Sequence, residues 1–360
     1  MPAPALDRPR DVRPGDELDL DALGAWLRDE LGVTERPVVR QYPSGFSNLT
    51  YLLDLGDREV VLRRPPHGAH VRGGHDMGRE HGILTALHGH VPVPEPLGYE
   101  PTGGVLGAPF YVMAHVPGVV LRTTTPPEAR PEAPAMRRVA DAFVETFAAL
   151  HAVDVDAVGL GDLGRPEGYV GRQVSGWERR YQAAATDAVP DLERAFAWVR
   201  ANQPAESDAT LVHNDYKYDN LVLDPADLTD VRAVLDWELA TVGDPLMDLG
   251  STLGYWVEAT DRPALKAMAL SPTWWPGNPT RAELVEAYGA RTGREVGDAV
   301  FYTVYGFVKL AVIAQQIYHR WTLGTATDPR FEGLIHTVRA CGETAARAVE
   351  RDRISDLHDA

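Results

Sequence analysis

The chain has a single cysteine, Cys341, in 360 residues. A lone thiol excludes an intrachain disulfide framework and a cysteine-built zinc cluster, and it fits a reducing compartment. Cationic residues are also in short supply: 35 Lys and Arg stand against 52 Asp and Glu, for a net charge of -17. A field of that sign repels phosphate backbones and anionic lipid, and no basic run offsets it, so neither nucleic acid nor a membrane is expected as a partner. No segment approaches the ~18 uninterrupted apolar residues of a membrane span. Residues 1–20 set arginines among acidic side chains without an apolar stretch, so no secretory signal is expected there and the cytoplasm is the expected location. Gly and Pro, 33 and 28 residues, fall below the share that marks low complexity. What remains is a folded chain long enough, at ~150 residues per domain, for two domains or two lobes.

Residues 1–19 read as a polar arm, followed by a helix with Leu20, Leu23, Leu27 and Leu31 on one face and Gly32 as its stop. Strand-like runs follow at 38–42, 49–55 and 59–64, then a helix over 79–87 and a strand over 109–115, with Pro92, Pro94 and Pro96 punctuating the passage between them. This pattern predicts a small antiparallel sheet with one inserted helix. Past a proline-bearing loop at 121–135, Met136, Val139, Ala140, Phe143, Val144, Phe147 and Leu150 recur at helical spacing. Two short apolar strands are expected around 213–236, and long helices at 281–291, 298–321 and 331–350. The chain therefore divides into an arm and helix over 1–32, a sheet-bearing part over 33–115 and a mostly helical part over 116–360.

Two polar clusters carry the chemistry. His213, Asp215 and Asn220 lie between apolar β-formers, and Asp236 follows a second apolar run. Such residues belong at strand ends, where loops present side chains to a cleft. An Asp five residues before an Asn, with another Asp after a hairpin, suits phosphoryl transfer: one carboxylate takes a hydroxyl proton, while the amide and the other carboxylate offer the hard oxygens Mg²⁺ demands.

With His-Asn-Asp-Tyr-Lys-Tyr-Asp-Asn at 213–220 and Leu-Asp-Trp-Glu-Leu-Ala-Thr-Val-Gly-Asp-Pro-Leu-Met-Asp at 235–248, the sequence resembles the aminoglycoside phosphotransferase-like branch of the protein-kinase-like superfamily. Within it, the nearest resemblance is to the acyl-CoA-dehydrogenase-associated group, in which such a domain occurs alone or fused to a dehydrogenase. The resemblance covers about 35–325 and implies an α+β, protein-kinase-like two-lobe fold: a small antiparallel-sheet N-lobe that binds nucleotide and a larger helical C-lobe that carries catalysis and substrate. It implies Asp215 as catalytic base, His213 as the residue orienting its loop, Asn220 and Asp236 as Mg²⁺ ligands, and Asp248 as a structural brace. The cofactors implied are Mg²⁺ with ATP or GTP as phosphoryl donor.

The sheet-bearing part follows the same order of elements. Ser44, Gly45, Ser47 and Asn48, between two strands, are placed to fold over phosphates with backbone N–H groups. Arg63 occupies the place of the kinase lysine in Val60-Val61-Leu62-Arg63, with Glu80 on the next helix as its ion-pair partner. An arginine keeps a permanent charge and a planar fork for phosphate oxygens. Met113 and His115 fall in the run that resembles the family's interlobe connection, whose backbone binds the nucleotide base.

For the acceptor, Lys309, Ile313, Gln316 and Arg320 fall at i, i+4, i+7 and i+11, one stripe of a helix, and no Asp or Glu occurs over 299–327. Trp177, Arg180 and Tyr181 on another helix could form an aromatic and basic wall, with core packing the competing role for Trp177. That balance suits an anionic small molecule with a hydroxyl, and by resemblance a hydroxyacyl-CoA-type one, better than a polycationic aminoglycoside, which needs a carboxylate-lined pocket. An aminoglycoside or other antibiotic phosphotransferase is the nearest alternative. A non-catalytic pseudokinase-like nucleotide-binding module and a two-carboxylate hydrolase built on Asp215 and Asp236 rank behind it. Only about a dozen residues separate Asp236 from Asp248, too few for the activation segment of a protein kinase. The expected state is monomer or homodimer.

Overall fold

The computed structural model describes residues 9–42, 48–66, 75–205, 207–326 and 328–358. In chain order the elements are α1 (Leu20–Leu31), β1 (Val38–Gln41), β2 (Leu49–Asp54), β3 (Glu59–Arg64), α2 (Met77–Leu87), β4 (Pro96–Glu100), β5 (Phe110–Ala114), α3 (Ala133–His151), α4 (Tyr169–Ala184) and α5 (Pro190–Ala201). They continue with β6 (Thr210–Val212), β7 (Leu221–Leu223), β8 (Val231–Val234), β9 (Thr241–Gly243), α6 (Pro245–Tyr255), α7 (Pro263–Met268), α8 (Arg281–Thr292), α9 (Ala299–Thr322) and α10 (Leu334–Arg351). Two compact units result, one from Ala3–Val120 with Asn220–Leu239, the other from Leu121–Asp219 with Ala240–Ala360.

These units do not follow the sequence divisions at 32/33 and 115/116. Leu23 and Leu27 of α1 bury in the sheet's own core, and 220–239 groups with the sheet instead of with the helices. Asp19 caps the α1 N-terminus by accepting from the N–H groups of Asp21 and Ala22, and Gly32 closes its end at φ 69, the left-handed conformation glycine adopts without penalty.

The sheet is antiparallel, in the order β1-β2-β3-β5-β4. Side chains alternate across it: Tyr51, Leu53, Val60, Leu62, Phe110 and Val112 enter the core under α1. Val61, Arg63, Tyr111 and Met113 therefore project from the opposite face. The proline-punctuated passage holds one more strand than the sequence predicted, β4. Its Pro96 is tolerated because β4 is an edge strand, where a missing N–H costs no ladder bond. The ribbon β7–β8 is tied to this unit by reciprocal bonds between Val119 and Leu223 and by Val234 N–H donating to the Pro92 carbonyl at 2.8 Å. A side chain at Gly118 would lie 2.4 Å from Val222 Cγ1, so the ribbon docks only against glycine there.

In the helical unit α3 buries the whole predicted stripe, Met136 to Leu150, and His151 beyond it. The helices α6 and α9 cross at close range. A Cβ on Gly306 would fall 2.0 Å from the Gly250 carbonyl oxygen and 2.7 Å from Gly254 N, so the two backbones touch. Among the described residues α9 alone is long and apolar enough to cross a membrane, yet most of it is buried against α4, α5, α6 and α10. Cys341, on α10, is buried too, and burial pushes its thiol far up from its ordinary range.

Candidate active site

In the helical unit the short strand β6 pairs with β9, and the chain then leaves β6 into the loop over 213–219. Asn214 takes φ 64, a left-handed conformation that Asn tolerates better than most residues. Three helices hold this turn. From α6, Asp248 accepts the His213 N–H at 2.6 Å and the Asn214 N–H at 2.7 Å. From α9, Lys309 Nζ donates to the Asn214 carbonyl at 2.5 Å and to Ser251 Oγ at 2.9 Å. From α4, Tyr169 Oη donates to the Asn214 side-chain oxygen at 3.2 Å. His213 Nδ1 accepts the Asp215 N–H at 3.2 Å, so a neutral His213 carries its proton on Nε2. The far end of the loop is packed: Tyr216 stacks on Phe147 at 4.5 Å and its hydroxyl donates to the Phe143 carbonyl.

Asp248 has a further partner. His151 Nε2 lies 3.2 Å from its carboxylate, while His151 Nδ1 meets Tyr288 Oη at 2.7 Å. Burial alone would raise the Asp248 carboxyl, but His151, His213 and the donated N–H bond hold it below the usual carboxylate range.

Asp215 is 9% exposed and paired with Lys217. Burial pushes its carboxyl up, yet the Lys217 ammonium, with His213 and Lys309, carries it below its ordinary value, so it is an anion at neutral pH. Lys217 also lies 5.0 Å from the Tyr255 ring centroid. Asp219 accepts from Ser271 Oγ at 2.6 Å, and burial raises it.

Beside this loop, half-buried Trp177 donates its indole N–H to Tyr305 Oη at 3.2 Å. The Arg180 guanidinium stacks on its ring at 4.6 Å and Lys309 Nζ stands 5.7 Å from it. The structure thus gathers Trp177, Arg180 and Lys309. Lys309, Gln316 and Arg320 share one helical stripe but not one environment. Lys309 is buried and its ammonium is occupied by Asn214 and Ser251, because the glycine crossing covers that turn of α9; Gln316 is half-buried and Arg320 exposed, further along.

In the sheet unit, Arg63 Nη1 lies 2.8 Å from Glu80 Oε1, and its Nη2 lies 3.1 Å from Asp236 Oδ1 and 3.9 Å from Glu238 Oε2. Burial pushes Glu80 up against the opposing pull of Arg63. Asp236 sits just past β8 at φ 67. The Asn220 carbonyl accepts the Leu235 N–H at 2.8 Å, so Asn220 and Asp236 share one end of the β7–β8 ribbon. An amide and a carboxylate oxygen there are the donor chemistry of Mg²⁺, and the neighbouring Arg63 suits phosphate oxygens. Asn48 donates to Glu238 at 3.0 Å and meets His75 Nδ1 at 2.9 Å. Ser44, Gly45 and Ser47 lie outside the described residues. Met113 pairs in register with Val61. His115 is committed elsewhere: its ring meets Glu59 at 2.8 Å and Tyr42 at 3.3 Å, and its N–H donates to the Glu59 carbonyl at 3.3 Å, so that donor is not offered to a nucleotide base.

Residues 38–296 match the family model described as APH, phosphotransferase enzyme family. The chain belongs to this phosphotransferase family. Among relatives of this APH-family chain, acyl-CoA dehydrogenase family member 11 of Gallus gallus is 37% identical over 324 residues, covering 89% of the chain and 41% of the relative. Family member 10 of Mus musculus is 34% identical over 326 residues, 89% of the chain and 30% of the relative. The chain thus spans less than half the length of these curated relatives. A solved structure from Ralstonia eutropha, provisionally named an aminoglycoside phosphotransferase, superposes with a TM-score of 0.79 at 30% identity, covering 93% of this chain and 99% of the other. The GDP complex of an aminoglycoside 2'-phosphotransferase, at 15% identity and a TM-score of 0.62 over 90% and 98% of the two chains, shows the same fold. The APH chain therefore has the expected protein-kinase-like two-lobe α+β fold. Motif reading passed over Lys217, although it stands inside the 213–220 motif two residues after Asp215; its pairing with that carboxylate is a matter of loop conformation, not of spacing.

Proposed function

We propose that this APH-family chain transfers the γ-phosphoryl group of ATP or GTP to a hydroxyl of an anionic small molecule, of hydroxyacyl-CoA type. The observation that carries the reading is Asp215, a buried carboxylate kept ionised by Lys217 on a loop that three helices lock in place. As base, Asp215 takes the acceptor's hydroxyl proton; the freed oxygen bonds the γ-phosphorus, and the bond to the β-phosphate oxygen breaks to release nucleoside diphosphate. Asn220 and Asp236 would hold Mg²⁺, which supplies neutralisation of phosphate charge when bound. Arg63 adds a fixed positive charge on the nucleotide-facing side of the sheet, oriented by Glu80.

Two observations support the acceptor class. Trp177 with the Arg180 guanidinium stacked on its ring makes a flat and cationic wall, and the curated relatives carry acyl-CoA in their names. An aminoglycoside acceptor is favoured by the name of the Ralstonia eutropha structure, but a polycation would meet the exposed Arg180 with repulsion. A panel of hydroxyacyl-CoAs, kanamycin-like amines, macrolides and sugars, each with Mg²⁺ and ATP or GTP, tests the proposal. Nucleotide consumption with the hydroxyacyl-CoAs is expected; consumption with the amines alone would refute the acceptor class.

A further inference from the structure

A buried lysine ammonium ordinarily has a carboxylate at its side, because removing the charge from water unpaired is costly. Lys309 departs from this. It is 2% exposed on the longest helix, and both of its hydrogen-bond acceptors, the Asn214 carbonyl and the Ser251 hydroxyl, are neutral. The glycine crossing of α6 and α9 makes this possible: Ser251 follows Gly250, and Lys309 lies one turn after Gly306.

The carbonyl it grips belongs to the peptide unit that joins Asn214 to Asp215. The N–H of that same unit goes to His213 Nδ1, and the two N–H groups before it go to Asp248. A left-handed residue directly before the base is thus held from both sides, by an anion on its N–H and that of His213, and by a cation on its carbonyl. Without the cation, the peptide plane that sets the Asp215 side chain would keep its N–H on His213 and lose the donor to its carbonyl.

We propose that Lys309 is a positioning residue for phosphoryl transfer, holding Asp215 in its reactive orientation through the Asn214 carbonyl. The inference rests on the reading of Asp215 as base. It requires the ammonium form, since a neutral amine gives only a weak hydrogen bond to the carbonyl and no longer favours the Asp215 anion. Burial brings the Lys309 ammonium down to about 8, against the pull of Asp215 and Asp248 and with Lys217 and Arg180 adding to the fall. These charged groups come from the loop, α6 and α4; Tyr305, Tyr169 and the Trp177 ring complete the surroundings. None of the charged groups lies on α5 or α10, which also pack on α9.

The test compares full-length wild type, Lys309→Met, Lys309→Arg and Ser251→Ala by thermal unfolding, nucleotide affinity and the pH profile of kcat. Wild-type kcat should fall as pH rises through about 8. In Lys309→Met, kcat at neutral pH should drop roughly 10- to 100-fold with nucleotide KM little changed, and the alkaline fall should vanish. Lys309→Arg, whose charge persists, should keep part of the activity and carry the fall to higher pH. Ser251→Ala removes an acceptor of the ammonium, so its fall should move to lower pH; this arm decides the matter if neither Lys309 variant folds. A role in folding alone would shift the melting temperature and leave the kcat profile unmoved, and that result overturns the proposal. Failure of the base reading looks different: Asp215→Asn would keep wild-type turnover, which removes this proposal with it. Turnover lost in Asp215→Asn but unchanged in Lys309→Met overturns the positioning role alone.

Discussion

Arg63 Nη1 stands 2.8 Å from Glu80 Oε1, with both side chains nearly out of reach of solvent. Such a pair is far from the surface ion pairs that contribute little. Removing one partner strands the other, so Arg63→Ala should destabilise the chain by roughly 3–5 kcal/mol. Arg63→Met combined with Glu80→Leu should recover much of that loss, since the deeply buried Glu80 charge is removed with its partner and Asp236 keeps its access to water. Denaturant unfolding of the three variants checks this; a double variant no more stable than Arg63→Ala would refute it.

Asp248 gives an acid-side signature. Its folded carboxyl lies below its unfolded value, so its contribution is complete above the ordinary carboxylate pKa of about 3.9 and is lost as pH falls through the lower folded value. Asp248→Asn should be less stable at neutral pH, by about 3 kcal/mol or more, and its stability should depend less on pH in the acid range. Unfolding curves from pH 7 downward measure both effects. An unchanged acid slope would show that other carboxylates carry it.

The α6–α9 crossing predicts a steric effect. Gly306→Ala places a methyl group 2.0 Å from the Gly250 oxygen, and the helices have to part. A loss of roughly 1–3 kcal/mol is expected, with lower kcat because Ser251 and Lys309 separate. Thermal unfolding of Gly306→Ala with unchanged midpoint would contradict the contact.

Lys217 predicts a shift in the acid limb of activity. A base works only when ionised, so kcat falls as pH drops through the Asp215 value, which Lys217 helps to lower. In Lys217→Met the Asp215 carboxyl rises and the acid limb of kcat should move to higher pH. An acid limb that stays in place would detach Lys217 from the base.

The fold was legible where one periodicity ruled. The stripe from Met136 to Leu150 announces itself because each of its apolar residues faces one core, and β2, β3 and β5 show as apolar runs bounded by turn residues, buried on both faces. β4 was hidden by Pro96, whose tolerance depends on being at the sheet's edge, a fact of topology. For the candidate site, His213, Asp215, Asn220 and Asp236 could be proposed from sequence because phosphoryl transfer needs those residue types at short spacing. Lys309 was placed on the right helix with the wrong surroundings: helical period says which residues share a face, but what covers it depends on glycines at 250, 254 and 306 meeting across some fifty residues of chain. Likewise Arg63 could be matched with Glu80 on the next helix, whereas its bond to Asp236 spans 173 positions and follows only from docking of the ribbon.

The proposed chemistry turns on Asp215 acting as the base of phosphoryl transfer. Its most direct test is γ-phosphoryl transfer by wild type beside Asp215→Asn, with nucleotide affinity measured for both. The expected result is a fall in kcat of roughly 10²- to 10⁴-fold with nucleotide affinity changed by no more than about threefold. Turnover retained in Asp215→Asn would contradict it.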